Sequence, residues 1–168
     1  MRFVLALFLL FAVSFCTFAQ TDEDKWVDSV FQSLDLVERI GQIVNVRANQ
    51  PNQPFNKEID RYVRDYNIGG VTFFRTDAAL LLQQSNEWQS VAKTPLMVAI
   101  DAEWGLGMRL NDAISYPYQM TLGALQNDEL IREMGEQIAE QCHRLGISVN
   151  FAPDVDVNNE PRNPVIGM

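Results

Sequence analysis

Two polar segments hold the side chains best suited to chemistry, and the first is residues 101–109, Asp-Ala-Glu-Trp-Gly-Leu-Gly-Met-Arg. Asp101 and Glu103 can accept hydrogen bonds from the hydroxyls of a polyol, and Arg109 can donate to them in a fixed fork. Trp104 offers an apolar face. Taken alone, this spacing equally allows an Asp101–Arg109 pair that only shapes a loop.

The second segment, residues 150–158, contains Asn150, Asp154 and Asp156. A carboxylate here could work with Asp101 or Glu103 as a glycosidase pair, but nothing in the sequence fixes the separation that such a pair needs. Asp154 and Asp156 could also bind a metal. The single histidine of the chain, His143, falls within a helical pattern, where it is more often a surface residue than a ligand. We therefore predict no metal site and no cofactor.

Both segments directly follow apolar runs that read as strands, and amphipathic helical patterns separate these runs. The predicted strands cover residues 43–46, 71–74, 96–100 and 147–151. The predicted helices cover residues 24–33, a short segment that begins at Asp35, residues 59–66 and a segment capped by Thr76. A last helix is predicted from Asn127 to Gly146, and its inward-facing residues are Leu130, Met134, Ile138 and Cys142.

This alternation predicts an α/β fold with a parallel sheet that is buried on both faces. Four strands fit either a small open α/β domain or the first half of an eight-stranded barrel. A polar, Pro-containing segment, 158–163, follows the fourth strand, and no helix covers that strand. We therefore expect the first half of a (β/α)8 TIM-type barrel, truncated after about the fourth strand.

The first nineteen residues have the pattern of a cleaved secretory signal peptide. Arg2 precedes the apolar run 3–13, and small residues at positions 17 and 19 suit cleavage after Ala19. An uncleaved anchor, or a lipoprotein attached through Cys16, fits less well. We expect residues 20–168 to form the exported domain, periplasmic or extracellular, with no stable membrane span after cleavage and Cys142 as a buried thiol.

The net charge is −9, from 22 acidic and 13 basic residues. An acidic surface repels phosphate backbones, which argues against nucleic acid as a partner. A neutral carbohydrate is compatible with this charge, although the charge does not select it.

An ordered series of motifs resembles the N-terminal barrel of family 3 glycoside hydrolases, from about Leu34 onward. The matching stretches are residues 36–42 (LVERIGQ), 68–71 (IGGV), 95–109, 116–117 (YP), 121–124 (TLGA) and 150–153 (NFAP) with Asp156. The form D-x-E-x-G, with Arg eight residues after the Asp, looks like the β-N-acetylglucosaminidase branch. Asp154 is a departure, because the family usually has an apolar or small residue there.

The resemblance implies that Asp101 and Arg109 bind the hydroxyls of the non-reducing sugar. It implies no catalytic residue within this chain, since the family's nucleophile and acid/base groups are expected beyond Met168. The expected function is the N-terminal part of a secreted retaining enzyme that releases terminal β-linked N-acetylglucosamine, inactive as this chain alone. The alternatives are a β-glucosidase or β-xylosidase of the same family, or a non-catalytic secreted carbohydrate-binding domain.

Overall fold

The computed structural model describes residues 20–48, 57–160 and 162–166. The chain divides into two compact units, residues 1–35 and residues 36–168. The predicted signal peptide lies outside the described residues. Within the described part of the chain, no helix is both long enough and apolar enough to cross a bilayer.

The first unit contains helix α1, Asp22–Ser33. The helix begins two residues before the predicted start because Thr21 and Asp24 form a capping box. The Asp24 N–H donates to the Thr21 hydroxyl at 3.1 Å, and the Asp24 carboxylate accepts from the Thr21 N–H at 3.0 Å. These two bonds satisfy backbone donors that a helix start otherwise leaves unpaired.

The second unit alternates helices and strands. In chain order these are α2 Leu36–Gln42, β1 Asn45–Ala48, α3 Lys57–Tyr66, β2 Gly70–Phe73, α4 Ala78–Val91, β3 Met97–Ile100, a 3₁₀ turn Leu106–Met108, α5 Gln119–Gly123, α6 Asp128–Arg144 and β4 Val149–Asn150. The strands form one parallel sheet in the order β1-β2-β3-β4. An unbroken sequential order is typical of a barrel, whereas doubly wound sheets reverse their order at a switch point. The chain has the predicted α/β architecture, that of the first half of a (β/α)8 barrel.

One face of the sheet packs against the helices. Phe73 of β2 and Trp88 of α4 are both fully buried, and their ring centroids are 5.8 Å apart. Val98 and Ile100 of β3 join the same apolar cluster, together with Ile138 of α6. Each such side chain contributes roughly 1.5–3 kcal/mol when it is fully buried. This face fixes the strands whose ends carry the polar segments.

The opposite face is only partly covered. Thr72 and Ala99 are buried there, but Arg47 is exposed and Met97 is 52% exposed. The expected burial of both sheet faces is therefore not found in this part of the molecule. Apolar composition does not distinguish a strand covered on one face by these helices from a strand covered on both.

The position of β1 and the cap of α4 differ from their predictions. β1 lies two residues later than predicted, because Asn45 and Arg47 occupy its polar face while Ile43 is 86% exposed before it. Thr76 does not cap α4; the N-cap residue is Asp77, and the Asp112 carboxylate accepts from the Ala78 N–H at 3.0 Å.

Helix α6 begins after Asn127, as predicted, and the Asn127 side chain accepts from the Glu129 N–H at 3.1 Å. Its inward face was predicted correctly for Ile138 and Cys142, which are buried, and Met134 packs partly against them. Leu130 is 49% exposed, so its predicted inward position is wrong. The buried face of α6 therefore begins after its first turn.

Candidate functional site

The structure brings Asp101 and Arg109 together at the carboxyl end of β3. The Arg109 Nε–H donates to the Asp101 carbonyl at 2.7 Å, and Nη2 donates to the Asp101 carboxylate. The Arg109 side chain is 19% exposed and that of Asp101 is 29% exposed. Each group therefore keeps an accessible edge. Asp101 and Arg109 thus form the pair that their spacing allowed, and their role as sugar ligands stays a prediction.

The intervening loop reverses direction so that Arg109 returns to the strand end. Gly105 has φ +91°, and an added Cβ there would lie 2.5 Å from Cδ2 of Tyr116. The 3₁₀ turn Leu106–Met108 follows, and the Gly107 N–H donates to the Ile114 carbonyl at 3.0 Å. A positive φ with no room for a side chain explains glycine at position 105.

The neighbouring strand ends hold this loop in place. The Asn150 amide, at the end of β4, accepts from the Ala102 N–H at 3.0 Å and donates to the Ala102 carbonyl at 3.2 Å. On the other side, the Thr76 N–H donates to the Arg109 carbonyl at 3.1 Å. The loop that joins Asp101 to Arg109 is thus bonded to the end of β4 and to the segment that follows β2. Sequence reasoning placed Asn150 in the second polar segment and in the NFAP stretch, but gave it no such role.

Phe74, directly after β2, provides an aromatic surface beside the pair. The Arg109 guanidinium carbon lies 4.9 Å from the Phe74 ring centroid, and that of Arg47 in β1 lies 4.2 Å from the same centroid. Both distances are within the range of cation–π attraction. Sequence reasoning missed these two contacts because they join residues from different strands.

Glu103 lies in the same loop, in a partly buried and acidic environment. Burial raises the pKa of Glu103, and the negative charges of Asp101 and Asp154 raise it further, while Arg109 lowers it. The Gln119 amide donates to the Glu103 carbonyl at 2.9 Å. Glu103 therefore holds its proton more readily than an ordinary glutamate does.

A cavity of about 290 Å³ adjoins Glu103, and Trp104 and Tyr118 line part of it. Their rings meet edge to face with centroids 4.7 Å apart. Asp154 and Asp156 line the cavity too, and the Asp156 N–H donates to the Asp154 carboxylate at 2.9 Å. The second polar segment thus lies beside the first.

This arrangement suits binding of a hydroxylated ligand. A carboxylate accepts from hydroxyls, a guanidinium donates to them, and aromatic rings contact the apolar face of a sugar. His143 is exposed on α6 and joins none of these contacts. In residues 20–48, 57–160 and 162–166, no three His, Cys, Asp or Glu side chains lie close enough to hold a metal ion.

Comparison with known proteins gives one consistent match. The family profile described as "Glycosyl hydrolase family 3 N terminal domain" matches residues 35–168. Beta-hexosaminidase A of Pseudoalteromonas piscicida is 36% identical over 124 residues, which are 66% of this chain and 21% of that protein. Beta-hexosaminidase LpqI of Mycobacterium tuberculosis is 31% identical over 110 residues, 62% of this chain and 28% of that protein.

Another relative, a beta-N-acetylglucosaminidase/beta-glucosidase of Cellulomonas fimi, is 25% identical over 146 residues, 86% of this chain and 25% of that protein. The chain therefore spans between about a fifth and three tenths of the length of these relatives.

Solved structures share the fold. The beta-glucoside phosphorylase BglX bound to 2FGlc superposes with a TM-score of 0.75 at 21% identity, covering 88% of this chain and 27% of that one. The beta-N-acetylhexosaminidase of Beutenbergia cavernae superposes with a TM-score of 0.63 at 25% identity, covering 80% of this chain and 43% of that one. Since the profile covers the whole strand–helix unit, the chain belongs to family 3 of the glycosyl hydrolases, through that family's N-terminal domain.

Proposed function

We propose that the complete protein releases terminal β-linked N-acetylglucosamine from glycans, and that this chain supplies part of its sugar subsite. The observation that carries the proposal is the Asp101–Arg109 pair at the carboxyl end of β3. Active sites of parallel β/α sheets lie at this end of the strands. Relatives named as beta-hexosaminidases support the amino sugar.

The pair suits recognition better than proton transfer. Arg109 donates to both the carbonyl and the carboxylate of Asp101, so the two side chains are fixed relative to each other. A fixed acceptor beside a fixed donor can contact neighbouring sugar hydroxyls without further ordering, which preserves binding free energy.

Retaining hydrolysis also requires a nucleophile and a proton donor. The proposal assigns both to other parts of the protein, since this chain spans only 21% to 28% of the length of the relatives compared. On this proposal the chain alone binds sugar weakly and does not hydrolyse it.

The test compares aryl N-acetyl-β-glucosaminide, aryl β-glucoside and aryl β-xyloside as substrates for the protein expressed from its complete gene. We expect the N-acetylglucosaminide to have the highest kcat/KM. Asp101→Ala should lower that kcat/KM by about 100-fold, because it removes hydrogen bonds between a charged group and the sugar. Asp65→Ala, at an exposed carboxylate on α3, is the control and should change little. Normal activity of Asp101→Ala would refute the assigned role.

β-Glucoside hydrolysis is the second candidate. The relative from Cellulomonas fimi is named for both N-acetylglucosaminidase and glucosidase activity. A preference for the aryl glucoside in the same assay would favour this candidate. Sugar binding by calorimetry with no turnover of any aryl glycoside would instead favour a non-catalytic carbohydrate-binding protein.

We also propose that the protein is exported after cleavage behind Ala19. The support is the sequence pattern of Arg2, the apolar run 3–13 and small residues before the cleavage point. Amino-terminal sequencing of the protein from its native host should begin at Gln20. An intact Met1 would refute export by this route.

A further inference from the structure

The cavity beside Trp104 is a part of this region that the proposed function does not use, because that function needs only the Asp101–Arg109 pair. The volume of the cavity is about 290 Å³. Small-molecule sites in proteins begin at about 300 Å³, so this cavity suits one small ligand rather than an extended one.

Trp104 and Tyr118 form an aromatic corner of the cavity. Their rings are nearly perpendicular, at 89°, with centroids 4.7 Å apart, and Tyr118 is 43% exposed. In an edge-to-face pair one ring turns its edge toward the other, so ring faces stay available to a ligand. Rings of this kind offer a large apolar contact area and lose little conformational entropy on binding.

Hydrogen bonds to the backbone hold this corner in place. The Tyr116 N–H donates to the Trp104 carbonyl at 2.8 Å. The Gln119 amide, next to Tyr118 in sequence, donates to the Glu103 carbonyl at 2.9 Å. The two segments that carry the rings are therefore bonded to each other at adjacent residues. A surface that is fixed in advance loses less free energy when it binds a ligand.

Another part of the cavity lining is polar. Asp154, Asp156 and Asn158, from the segment after β4, contribute to it. Carboxylate and amide oxygens accept hydrogen bonds from hydroxyls. A small-molecule site usually combines an apolar, aromatic lining with a few polar groups. A sugar ring presents both C–H faces and hydroxyls, so this lining matches it.

The cavity adjoins the Asp101–Arg109 pair at both ends of the connecting loop. Glu103 lines the cavity and follows Asp101 by two positions, so their Cα atoms are at most about 7 Å apart. Met108, which directly precedes Arg109, lines the cavity too. Two sugars that share one glycosidic oxygen can therefore occupy the pair and the cavity together.

We propose that this cavity is a subsite for a second sugar, the one joined to the sugar that Asp101 and Arg109 bind. The glycosidic bond to be hydrolysed then lies between the two sites, and the released sugar is the one beside Trp104. The preferred substrates are disaccharides rather than glycosides of small alcohols. The inference rests on the proposed function, which supplies the first sugar site.

The test compares two substrates of the protein expressed from its complete gene. One is N,N′-diacetylchitobiose, a disaccharide of β-linked N-acetylglucosamine, and the other is methyl N-acetyl-β-glucosaminide, whose leaving group has no ring. Trp104→Ala should lower kcat/KM for the disaccharide by about 10- to 100-fold, and for the methyl glycoside by no more than about twofold. Trp104→Phe, which keeps an aromatic ring, should retain most of the disaccharide activity. Trp26→Ala, at a tryptophan of α1 that is 66% exposed, is the matched control and should change neither value.

Equal losses on both substrates would overturn the proposal, because Trp104 would then contact the sugar that both share or would support the fold. No loss on either substrate would overturn it too. If Trp104→Ala does not fold, Tyr118→Ala removes the more accessible ring of the same corner. A loss confined to the disaccharide then supports the proposal, and any other result refutes it.

The proposed function can fail separately. If only glucosides are cleaved, the amino-sugar assignment is wrong, and cellobiose and methyl β-glucoside then test the cavity in the same way. If no glycoside is hydrolysed, the proposed function is refuted and calorimetry decides on the cavity. The unaltered protein should bind the disaccharide at least about 10-fold more tightly than N-acetylglucosamine, and Trp104→Ala should remove this difference. Equal binding of the two sugars by the unaltered protein would refute the second subsite.

Discussion

Asn150→Ala should destabilise the protein by releasing the loop that carries Asp101. The Asn150 amide makes two hydrogen bonds to the backbone of Ala102, at 3.0 and 3.2 Å, and Ala102 is fully buried. A hydrogen bond of this kind contributes roughly 0.5–1.5 kcal/mol, so the loss of two should lower the free energy of unfolding by about 2 kcal/mol.

Two further variants separate this mechanism from a general packing defect. Gln119→Ala removes a single 2.9 Å bond to the same loop and should cost about half as much. Asn150→Asp keeps the acceptor for the Ala102 N–H but places a carboxylate oxygen against the Ala102 carbonyl. Its defect should be full at neutral pH and should diminish as falling pH protonates the new carboxyl group, which can then donate.

Urea unfolding, followed by tryptophan fluorescence, measures these differences, because linear extrapolation gives the free energy of unfolding for each variant. A value for Asn150→Ala within about 0.5 kcal/mol of the unaltered protein would refute the reasoning. So would an Asn150→Asp defect that does not change with pH.

Three further outcomes follow from the structure. Gly105→Ala should lower the free energy of unfolding by about 1–3 kcal/mol, because φ is +91° and Tyr116 leaves no room for a Cβ. As the control, a Cβ at Gly135 in α6 meets no atom within 4 Å, so Gly135→Ala should be neutral or stabilising by up to about 1 kcal/mol. Equal effects of the two substitutions would contradict this. Glu103→Gln should raise the melting temperature at pH 7 and leave it unchanged near pH 3. Because the pKa of Glu103 is raised in the folded protein, its ionisation destabilises the folded state, and this penalty appears only as the pH rises past the pKa that Glu103 has in the unfolded chain. A pH-independent effect would contradict it. Cys142 should react slowly with thiol reagents at neutral pH until the protein is unfolded, since burial raises the pKa of its thiol. Mass spectrometry of the peptide that contains Cys142 measures the labelling, and rapid labelling of the folded protein would contradict this.

The architecture could be predicted from the sequence because apolar runs and helical spacing report directly on burial. Phe73 and Ile100 are fully buried at the ends of strands that were predicted within one residue of their bounds. β1 was misplaced because its polar residues, Asn45 and Arg47, lie on the less covered face of the sheet. A periodicity argument cannot identify such a face before the arrangement of the sheet is known.

The site was predictable only in part. Asp101 and Arg109 were identified from residue type and spacing, and the structure places them in contact. Their contact depends on the backbone at Gly105, on the 3₁₀ turn and on the Asn150 amide, which bonds to Ala102 from another strand. These are long-range features that no local pattern specifies. The substrate role of the pair remains a prediction.

A crystal structure of the protein from its complete gene with bound N-acetylglucosamine tests the central claim most directly. We expect sugar hydroxyl oxygens within about 3 Å of the Asp101 carboxylate and of the Arg109 guanidinium, the distance of a direct hydrogen bond. A sugar bound only elsewhere, such as only in the cavity beside Trp104 and Tyr118 with no contact to Asp101 or Arg109, would contradict the account.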